Sequence, residues 1–318
     1  MSRTPILVVG RQMPYVLARL EAAFDVHQLP AESAGFASLG HVRGVAMSGS
    51  PRRMDGALMD LLPSLEVVAN FGVGYDAIDV AAAASRGITV TNTPDVLTDE
   101  VADLTIALLL ATIRQLPQAE RYLRDGKWLE RAYPLTPSLR TRSVGIVGLG
   151  RIGKAVAHRL TAFGVPIAYH GRNRQADVPY RYYPSLVAMA EDVDTLVSVV
   201  PGGAATHHLI NAGVLKALGP QGIVVNVGRG SVVDEMALIA ALRDKTILSA
   251  GLDVFEDEPR VPAELIAMDH VVLLPHVGSA SVHTREAMGQ LVVDNLTAWF
   301  DGRGPLTPVA ETPWPARA

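Results

Sequence analysis

The sequence contains no cysteine. This absence excludes disulfide bonds, zinc sites built on thiolates and cysteine nucleophiles. Positive charge is also scarce, because 28 lysines and arginines stand against 32 aspartates and glutamates and the formal net charge is −4. No stretch concentrates the basic residues. The composition therefore argues against nucleic acid or an anionic membrane as partner, and we expect a small soluble substrate.

Long hydrophobic runs are missing as well. The longest, residues 104–113, is interrupted only by Thr105 and Thr112 and is far shorter than the roughly 20 residues that a membrane-spanning helix needs. The first apolar run, residues 6–9, is too brief for a signal peptide. With 49% hydrophobic and 19% charged residues, the chain is typical of a globular protein, and we expect it to be soluble and cytoplasmic.

Short strands alternate with helices in two stretches of the chain. The apolar patterns predict five strands over residues 5–93 and six strands over residues 144–274. Such alternation is typical of α/β domains with parallel sheets. Because 318 residues are many for one hydrophobic core, we expect two domains.

A helix is predicted between the two stretches. Thr98 can cap it, and Asp99 and Glu100 suit its first turn. The helix should extend to about residue 116, and its apolar residues cover nearly the whole circumference. We therefore predict burial on all sides, either between two domains or between two subunits.

A glycine-rich turn follows the first strand of the second stretch. Residues 144–153 read Val-Gly-Ile-Val-Gly-Leu-Gly-Arg-Ile-Gly. Gly148 permits the turn, Gly150 lets a pyrophosphate approach the backbone, and Gly153 allows close packing of the helix on the strand. Because exposed N–H groups and the helix dipole favour phosphate, the pattern predicts a dinucleotide site. The same turn contains Leu149, Arg151 and Ile152.

A second glycine turn, residues 70–76, reads Asn-Phe-Gly-Val-Gly-Tyr-Asp and follows a predicted strand of the first stretch. Bare backbone N–H groups at the carboxyl end of a strand lie where open α/β sheets bind ligands. The alternative is an ordinary βα turn without a ligand.

Three later strand ends carry polar residues. Residues 225–230 read Val-Asn-Val-Gly-Arg-Gly, residues 251–259 read Gly-Leu-Asp-Val-Phe-Glu-Asp-Glu-Pro, and residues 274–279 read Leu-Pro-His-Val-Gly-Ser. Together with the first glycine turn, these motifs resemble the D-isomer-specific 2-hydroxyacid dehydrogenases over almost the whole chain. Within that family, the glyoxylate/hydroxypyruvate reductases are the most similar.

The resemblance implies an architecture of two doubly wound parallel-sheet domains. A Rossmann dinucleotide-binding domain, residues 98–286, is inserted into a flavodoxin-like substrate domain made of residues 1–97 and 287–318. The helix that begins at Thr98 belongs in such enzymes to the interface of a homodimer. The two crossings between the domains would act as hinges.

The resemblance also implies the NADPH- or NADH-dependent reduction of a small 2-keto acid, glyoxylate or hydroxypyruvate, to the D-2-hydroxy acid. Val73 and Gly74 would donate backbone N–H groups to the substrate carboxylate. Arg229 suits the carboxylate and carbonyl because its guanidinium is a permanently charged fork. His276 suits general acid/base work, since a free imidazole titrates near pH 6.5, and Glu258 would orient it and keep it protonated before hydride transfer.

Further cofactor contacts follow from the same resemblance, and no metal ion is expected. Asp253 would accept a hydrogen bond from the nicotinamide carboxamide. The segment 202–206 departs from the usual polar sequence of the family, which leaves its phosphate contacts open. The other expected cofactor residues are Thr98, Pro201, Thr206, Val227, His276 and Gly278.

The strand end expected to bind the adenine ribose lacks a carboxylate. Residues 169–174 read Tyr-His-Gly-Arg-Asn-Arg, and the first acidic residue afterwards is Asp177. NAD-specific folds place Asp or Glu here, whereas Arg172, Asn173 and Arg174 can bind a 2′-phosphate. We therefore predict NADPH as the preferred cofactor, with NADH weaker; the alternative is a solvated basic loop.

Other functions stay open at this point. One is a sibling enzyme of the family, such as phosphoglycerate dehydrogenase. Another, from a different class, is a non-catalytic corepressor on the same fold that senses a nucleotide. The corepressor would need a peptide-docking cleft or interaction tails, and this chain has no long charged or low-complexity extension.

Overall fold

The structure is a computed structural model that describes residues 3–29, 39–49, 52–312 and 314. It divides into two compact units: residues 1–97 with 281–318 form unit 1, and residues 98–280 form unit 2. The second crossing lies just before the last helix, Val282–Phe300, because that helix is continuous and is capped by Ser281. Of the predicted substrate domain, residues 1–2, 30–38, 50–51, 313 and 315–318 lie outside the described residues.

Unit 1 contains a five-stranded parallel sheet. Its strands are β1 (Pro5–Val9), β2 (Asp25–Gln28), β3 (Gly44–Met47), β4 (Val67–Asn70) and β5 (Thr89–Thr91). The strand order β2-β1-β3-β4-β5 is the flavodoxin-like doubly wound order, as predicted. The helices that precede unit 2 are α1 (Pro14–Ala23), α2 (Gly56–Asp60) and α3 (Val80–Ser85).

Both faces of this sheet are covered, which is why its strands are continuously apolar. Along β1, Leu7 and Val9 point into one core, and Ile6 and Val8 point into the other. The last helix closes the second core with residues such as Leu296. All residues of β3 and β4 are buried, so the carboxyl ends of these strands are firmly placed.

Unit 2 contains a seven-stranded parallel sheet. Its strands are β6 (Val144–Val147), β7 (Ile167–His170), β8 (Arg181–Tyr183), β9 (Thr195–Ser198), β10 (Ile223–Asn226), β11 (Ser249–Leu252) and β12 (Val272–Leu273). The order is β12-β11-β10-β9-β6-β7-β8. The chain reverses its direction across the sheet between β6 and β9, and open α/β sheets bind ligands at such a switch point. The predicted Rossmann architecture is confirmed, and the glycine turn that follows β6 lies at the switch.

The helices of unit 2 connect these strands. They are α4 (Thr98–Arg114), α5 (Leu116–Arg124), α6 (Arg151–Thr161), α7 (Leu186–Asp192), α8 (Ala212–Leu218), α9 (Glu235–Arg243) and α10 (Ala263–Ile266), and the last helix of the chain is α11. Within the described ranges, none of the helices is both long and apolar enough to cross a membrane.

Helix α4 packs on α6 and on β11. The contact with the sheet is close: a Cβ added at Gly251 would lie 2.3 Å from Thr112 Oγ1. Within the single chain, Asp103, Ala107 and Arg114 are exposed along one side. Burial on all sides would therefore need a second subunit, and that alternative stays a prediction. The helix also ends earlier than predicted, because Gln115 adopts a left-handed conformation (φ 50°) before α5 begins.

Candidate active site

The glycine turn after β6 has the geometry of a phosphate-binding turn. Gly148 has a φ of 96°, and a Cβ at Gly153 would lie 2.1 Å from the carbonyl oxygen of Gly148. A Cβ at Gly150 would meet nothing within 4 Å. Gly150 is therefore the glycine of the three that leaves open space beside the backbone.

The amino terminus of α6 has no side-chain cap, because its N-cap residue is Gly150. Helices α7, α8 and α9 are instead capped by Ser185, Asn211 and Asp234. First-turn N–H groups need acceptors, and an anion can supply them. The open space and the missing cap together fit the pyrophosphate of a dinucleotide, next to Leu149, Arg151 and Ile152.

The basic loop after β7 is tied to this turn. The Gln175 side chain donates to Leu149 O (2.7 Å), and the Gln175 N–H donates to the hydroxyl of Tyr169 (2.7 Å). Between these anchors Arg172, Asn173 and Arg174 are exposed. Neither arginine has a hydrogen-bond or ion-pair partner in the described part of the chain.

The first carboxylate after this loop is already paired. Lys154 Nζ lies 2.7 Å from Asp177 Oδ2, and this hydrogen bond is the main cause of a lowered pKa of Asp177. Asp177 is thus held by α6. This pairing leaves the strand end positively charged, as a 2′-phosphate site requires.

The loop after β9 is closed by its own hydroxyl. Thr206 Oγ1 donates to Pro201 O at 2.7 Å and lies 3.2 Å from Gly203 O. The hydroxyl proton of Thr206 is therefore used within the loop, whereas Pro201 is exposed. Thr98, the first residue of α4, is half-buried. The cofactor contacts expected at these positions stay predictions.

The Arg229 loop is held by a buried asparagine at the end of β10. Asn226, only 1% exposed, donates to Arg229 O (2.9 Å) and accepts from the Gly228 N–H (3.1 Å). Val227 N donates to Ser198 O (3.1 Å) and so fixes the start of the loop. A Cβ at Gly230 would lie 1.9 Å from the backbone carbon of Phe255, so only glycine fits there.

Asp253, at the end of β11, holds the loop that contains His276. Its two carboxylate oxygens accept the N–H groups of Val277 (2.7 Å) and Gly278 (2.8 Å). Asp253 is 1% exposed, and burial raises the pKa of its carboxyl while the two N–H donors oppose that rise. The structure thus assigns Asp253 a supporting contact; the nicotinamide contact would need a remaining lone pair and stays a prediction.

His276 and Glu258 form the hydrogen bond that the sequence could not show. His276 Nδ1 lies 2.6 Å from Glu258 Oε2, and the Phe255 N–H donates to Glu258 Oε1 (3.1 Å). Burial alone would raise the pKa of Glu258, but the hydrogen bond and charge of His276, with Arg229 nearby, bring it below its ordinary value. An ionised carboxylate only accepts, so Nδ1 carries the proton and Nε2 is the ring nitrogen left for a ligand.

The backbone at His276 is unusual as well. Its φ of 52° is a left-handed conformation that non-glycine residues rarely adopt. The bonds from Asp253 to the next two residues maintain it. Strained backbone of this kind clusters at functional sites, where the surrounding structure holds it in place.

In unit 1, Val73 and Gly74 lie in the loop that follows β4, at the carboxyl edge of that sheet. Both are half-buried. Their backbone N–H groups have no acceptor among the described residues. This is the geometry expected of donors reserved for a ligand.

One further group of side chains lies beside the Arg229 loop. His207, His208 and Glu256 bring ligand-type atoms within 4.8 Å of one another. His208 Nε2 lies 2.8 Å from Glu256 Oε1, and the two imidazoles are stacked. The His208–Glu256 hydrogen bond connects the loop after β9 to the acidic loop that carries Glu258.

Sequence reasoning missed the residues that support the site. Asn226 and Gln175 contact no expected ligand, yet they position Arg229 and the basic loop. A signal for Asn226 was present, because an asparagine ends an otherwise apolar strand. Gln175 had no comparable signal, since its contact depends on how two loops fold together.

The sheet order, the glycine turn and the His276–Glu258 pair define a dinucleotide-dependent dehydrogenase. The model of the D-isomer specific 2-hydroxyacid dehydrogenase NAD binding domain matches residues 106–278. The chain belongs to this family, and the resemblance drawn from the motifs is confirmed.

Two relatives and one solved structure have high sequence identity to the chain. A glyoxylate/hydroxypyruvate reductase A of Arabidopsis thaliana is 49% identical over 272 residues, which cover 86% of each protein. A hydroxyphenylpyruvate reductase of Plectranthus scutellarioides is 49% identical over 80% of this chain and 82% of its own. The crystal structure of an NADPH-dependent glyoxylate/hydroxypyruvate reductase of Sinorhizobium meliloti, in complex with NADP and malonate, is 57% identical with a TM-score of 0.95 over the whole of both chains.

Proposed function

We propose that this protein is an NADPH-dependent reductase of small 2-keto acids that converts glyoxylate or hydroxypyruvate to the D-2-hydroxy acid. The observation that carries the proposal is the His276–Glu258 hydrogen bond at the carboxyl edge of the dinucleotide sheet. The relatives support the substrate class, since reductases of these acids share 49% and 57% identity with the chain. In the overall reaction, the keto acid, NADPH and one proton give the hydroxy acid and NADP⁺.

The residues of unit 2 fit the cofactor. The open backbone at Gly150 and the uncapped amino terminus of α6 would hold the pyrophosphate. Arg172 and Arg174 would bind the 2′-phosphate, as they have no other partner in the described ranges. When bound, NADPH supplies the hydride.

His276 would act as the general acid. Glu258 fixes the imidazole through Nδ1, so Nε2 is the atom that donates a proton to the alkoxide oxygen formed from the keto group. Glu258 stays ionised because its pKa is lowered. In the reverse direction, Nε2 would accept the same proton.

Arg229 would bind the substrate carboxylate and stabilise the developing oxyanion. A guanidinium keeps its charge throughout and offers two parallel donors to a carboxylate. Its loop is fixed by Asn226 and by the steric requirement for Gly230. The malonate bound by the Sinorhizobium meliloti relative, a small dianion, is consistent with an anion-binding site of this kind.

We further propose a homodimer in the cytoplasm. Helix α5 has no buried residue, and Leu116 (52%), Leu123 (58%) and Leu129 (93%) leave much of their surface exposed. A contiguous exposed apolar patch marks a protein interface, and we propose that these three leucines belong to one. Light scattering should give the mass of a dimer, and Leu123→Lys should shift it toward the monomer; a wild-type monomer at micromolar concentration would remove the basis for this interface. Subcellular fractionation would test the location.

A substrate panel tests the proposed activity. Steady-state rates should be measured for glyoxylate, hydroxypyruvate, pyruvate, hydroxyphenylpyruvate and 3-phosphohydroxypyruvate, each with NADPH and NADH. We expect the highest kcat/KM for glyoxylate or hydroxypyruvate with NADPH. A dominant 3-phosphohydroxypyruvate activity would indicate a sibling dehydrogenase, and NADPH binding without turnover of any acid would favour a nucleotide-sensing role.

A further inference from the structure

In the loop that follows β4, the carbonyl oxygens of residues 72–75 are all hydrogen-bonded. The side-chain amide of Asn70, the last residue of β4, donates to Gly72 O (3.1 Å) and to Gly74 O (3.0 Å). Asn70 is 7% exposed, and its amide donates to two carbonyl oxygens at once in bonds that are partly buried. Tyr75 O, the next carbonyl, accepts the Ile78 N–H at 2.9 Å.

The fourth of these carbonyl oxygens, that of Val73, is held by a residue that follows the neighbouring strand β5. The side-chain amide of Asn92, which directly follows β5, donates to Val73 O (2.9 Å). The Thr93 N–H adds a second donor to Gly72 O (3.0 Å). Asn92 itself is fixed through its backbone: its N–H donates to Thr307 O (3.2 Å), and the Thr307 hydroxyl donates to its carbonyl oxygen at 2.6 Å.

These bonds determine where the N–H groups point. In a trans peptide, the carbonyl of one residue and the N–H of the next are opposed. Holding Gly72 O therefore directs the Val73 N–H away from Asn70, and holding Val73 O directs the Gly74 N–H away from Asn92. Within the described ranges, neither N–H has an acceptor.

We propose that Asn70 and Asn92 are positioning residues that aim the Val73 and Gly74 N–H groups at the carboxylate of the 2-keto acid. This inference rests on the proposed function, which supplies the carboxylate. An unpaired N–H is unfavourable unless a ligand or water accepts from it, and two adjacent donors suit the two oxygens of one carboxylate. The asparagines hold these donors in place before the substrate arrives.

Aspartate cannot replace asparagine in this arrangement. A carboxylate has the same shape but only accepts, so it would face a carbonyl oxygen without a proton between them. The Asn92→Asp variant thus tests the donated hydrogen bond with almost no change in volume. Asn92→Ala removes the same bond together with the side chain.

The experiment compares Asn92→Ala and Asn92→Asp with wild type and with Asn211→Ala as a matched control. Asn211 caps α8 through two N–H groups, so its removal costs stability without touching the loop. The readouts are kcat, KM for glyoxylate, KM for NADPH, the Tm and the inhibition constant of oxamate. Oxamate is a non-reactive isostere of a 2-keto acid. Tm identifies any variant that is merely unstable.

We expect both Asn92 variants to raise KM for glyoxylate and the oxamate constant by the same factor, about 10- to 100-fold. This is the size of one hydrogen bond to a charged group. A contact made equally in the ground and transition states leaves kcat nearly unchanged. KM for NADPH should stay unchanged in both Asn92 variants. Asn211→Ala should lower the Tm and leave the kinetic constants unchanged.

Three results would overturn the inference. If wild type reduces glyoxylate and both Asn92 variants keep its KM within about twofold, the asparagine side chains do not position the donors, while the proposed function stands. If KM for NADPH rises as much as KM for glyoxylate, the effect is general damage and the assignment fails. A wild-type protein that reduces no 2-keto acid would remove the proposed function and this inference together.

Discussion

The preference for NADPH should depend on Arg172 and Arg174. Both are exposed and have no partner in the described chain, so no existing ion pair must break before they bind a phosphate. A hydrogen bond to a charged group is worth about 1.5–3 kcal/mol, and ordering a long side chain costs about 0.5–1.5 kcal/mol. At the middle of both ranges, each arginine then contributes about 1.25 kcal/mol and the pair about 2.5 kcal/mol. Because 1.4 kcal/mol is a tenfold change, the pair should favour NADPH by at least about tenfold.

The assay is kcat/KM for NADPH and for NADH with saturating keto acid. Arg172→Ala combined with Arg174→Ala should lose most of the NADPH efficiency and keep the NADH efficiency within about twofold. Arg243→Ala, which removes an exposed arginine paired with Asp244 at the end of α9, is the matched control and should change neither value. Equal efficiency with both cofactors in the wild type, or equal losses in the double variant, would refute the reasoning.

Three further predictions concern the same unit. His276→Ala should lower kcat by roughly 10²- to 10⁴-fold, the usual size of a general-acid contribution, with little change in KM for NADPH; full turnover in rapid-quench assays would contradict its role. Gly153→Ala should lower the Tm because its Cβ would lie 2.1 Å from a backbone oxygen, whereas Gly150→Ala should keep the Tm and raise KM for NADPH; the reverse pattern in thermal melts and kinetics would exclude a cofactor at Gly150. The pKa of Glu258 is lowered in the folded protein. The ionised carboxylate therefore stabilises the fold above the ordinary pKa of a glutamate, and this contribution is lost as the pH falls through the lowered value. The Tm difference between wild type and Glu258→Gln should shrink on acidification. A difference that grows toward low pH would mean the opposite shift.

Local sequence patterns predicted most of the architecture. The buried strands of both sheets are short apolar runs between turn residues, and the glycine turn predicted to bind a dinucleotide lies at the switch point of the seven-stranded sheet. Strand β8 was missed because Arg181–Tyr183 is a short edge strand without a continuous apolar pattern. Helix α5 was missed for a related reason, since none of its residues is buried.

Contacts between distant residues could not be predicted in the same way. The pairing of His276 with Glu258 was expected from the family resemblance, but the 2.6 Å distance between them depends on how two separate loops after β11 and β12 fold. The amide bonds of Asn70 and Asn92 depend on the side-by-side placement of β4 and β5. Neither residue type nor spacing along the chain specifies which carbonyl an asparagine will face.

The chirality of the product from hydroxypyruvate tests the central claim most directly. Purified protein should be incubated with hydroxypyruvate and limiting NADPH, and the glycerate formed should be resolved by chiral chromatography and compared with the NADPH consumed. The proposed function predicts one D-glycerate for each NADPH oxidised. Formation of L-glycerate, or no hydroxypyruvate-dependent oxidation of NADPH, would contradict it.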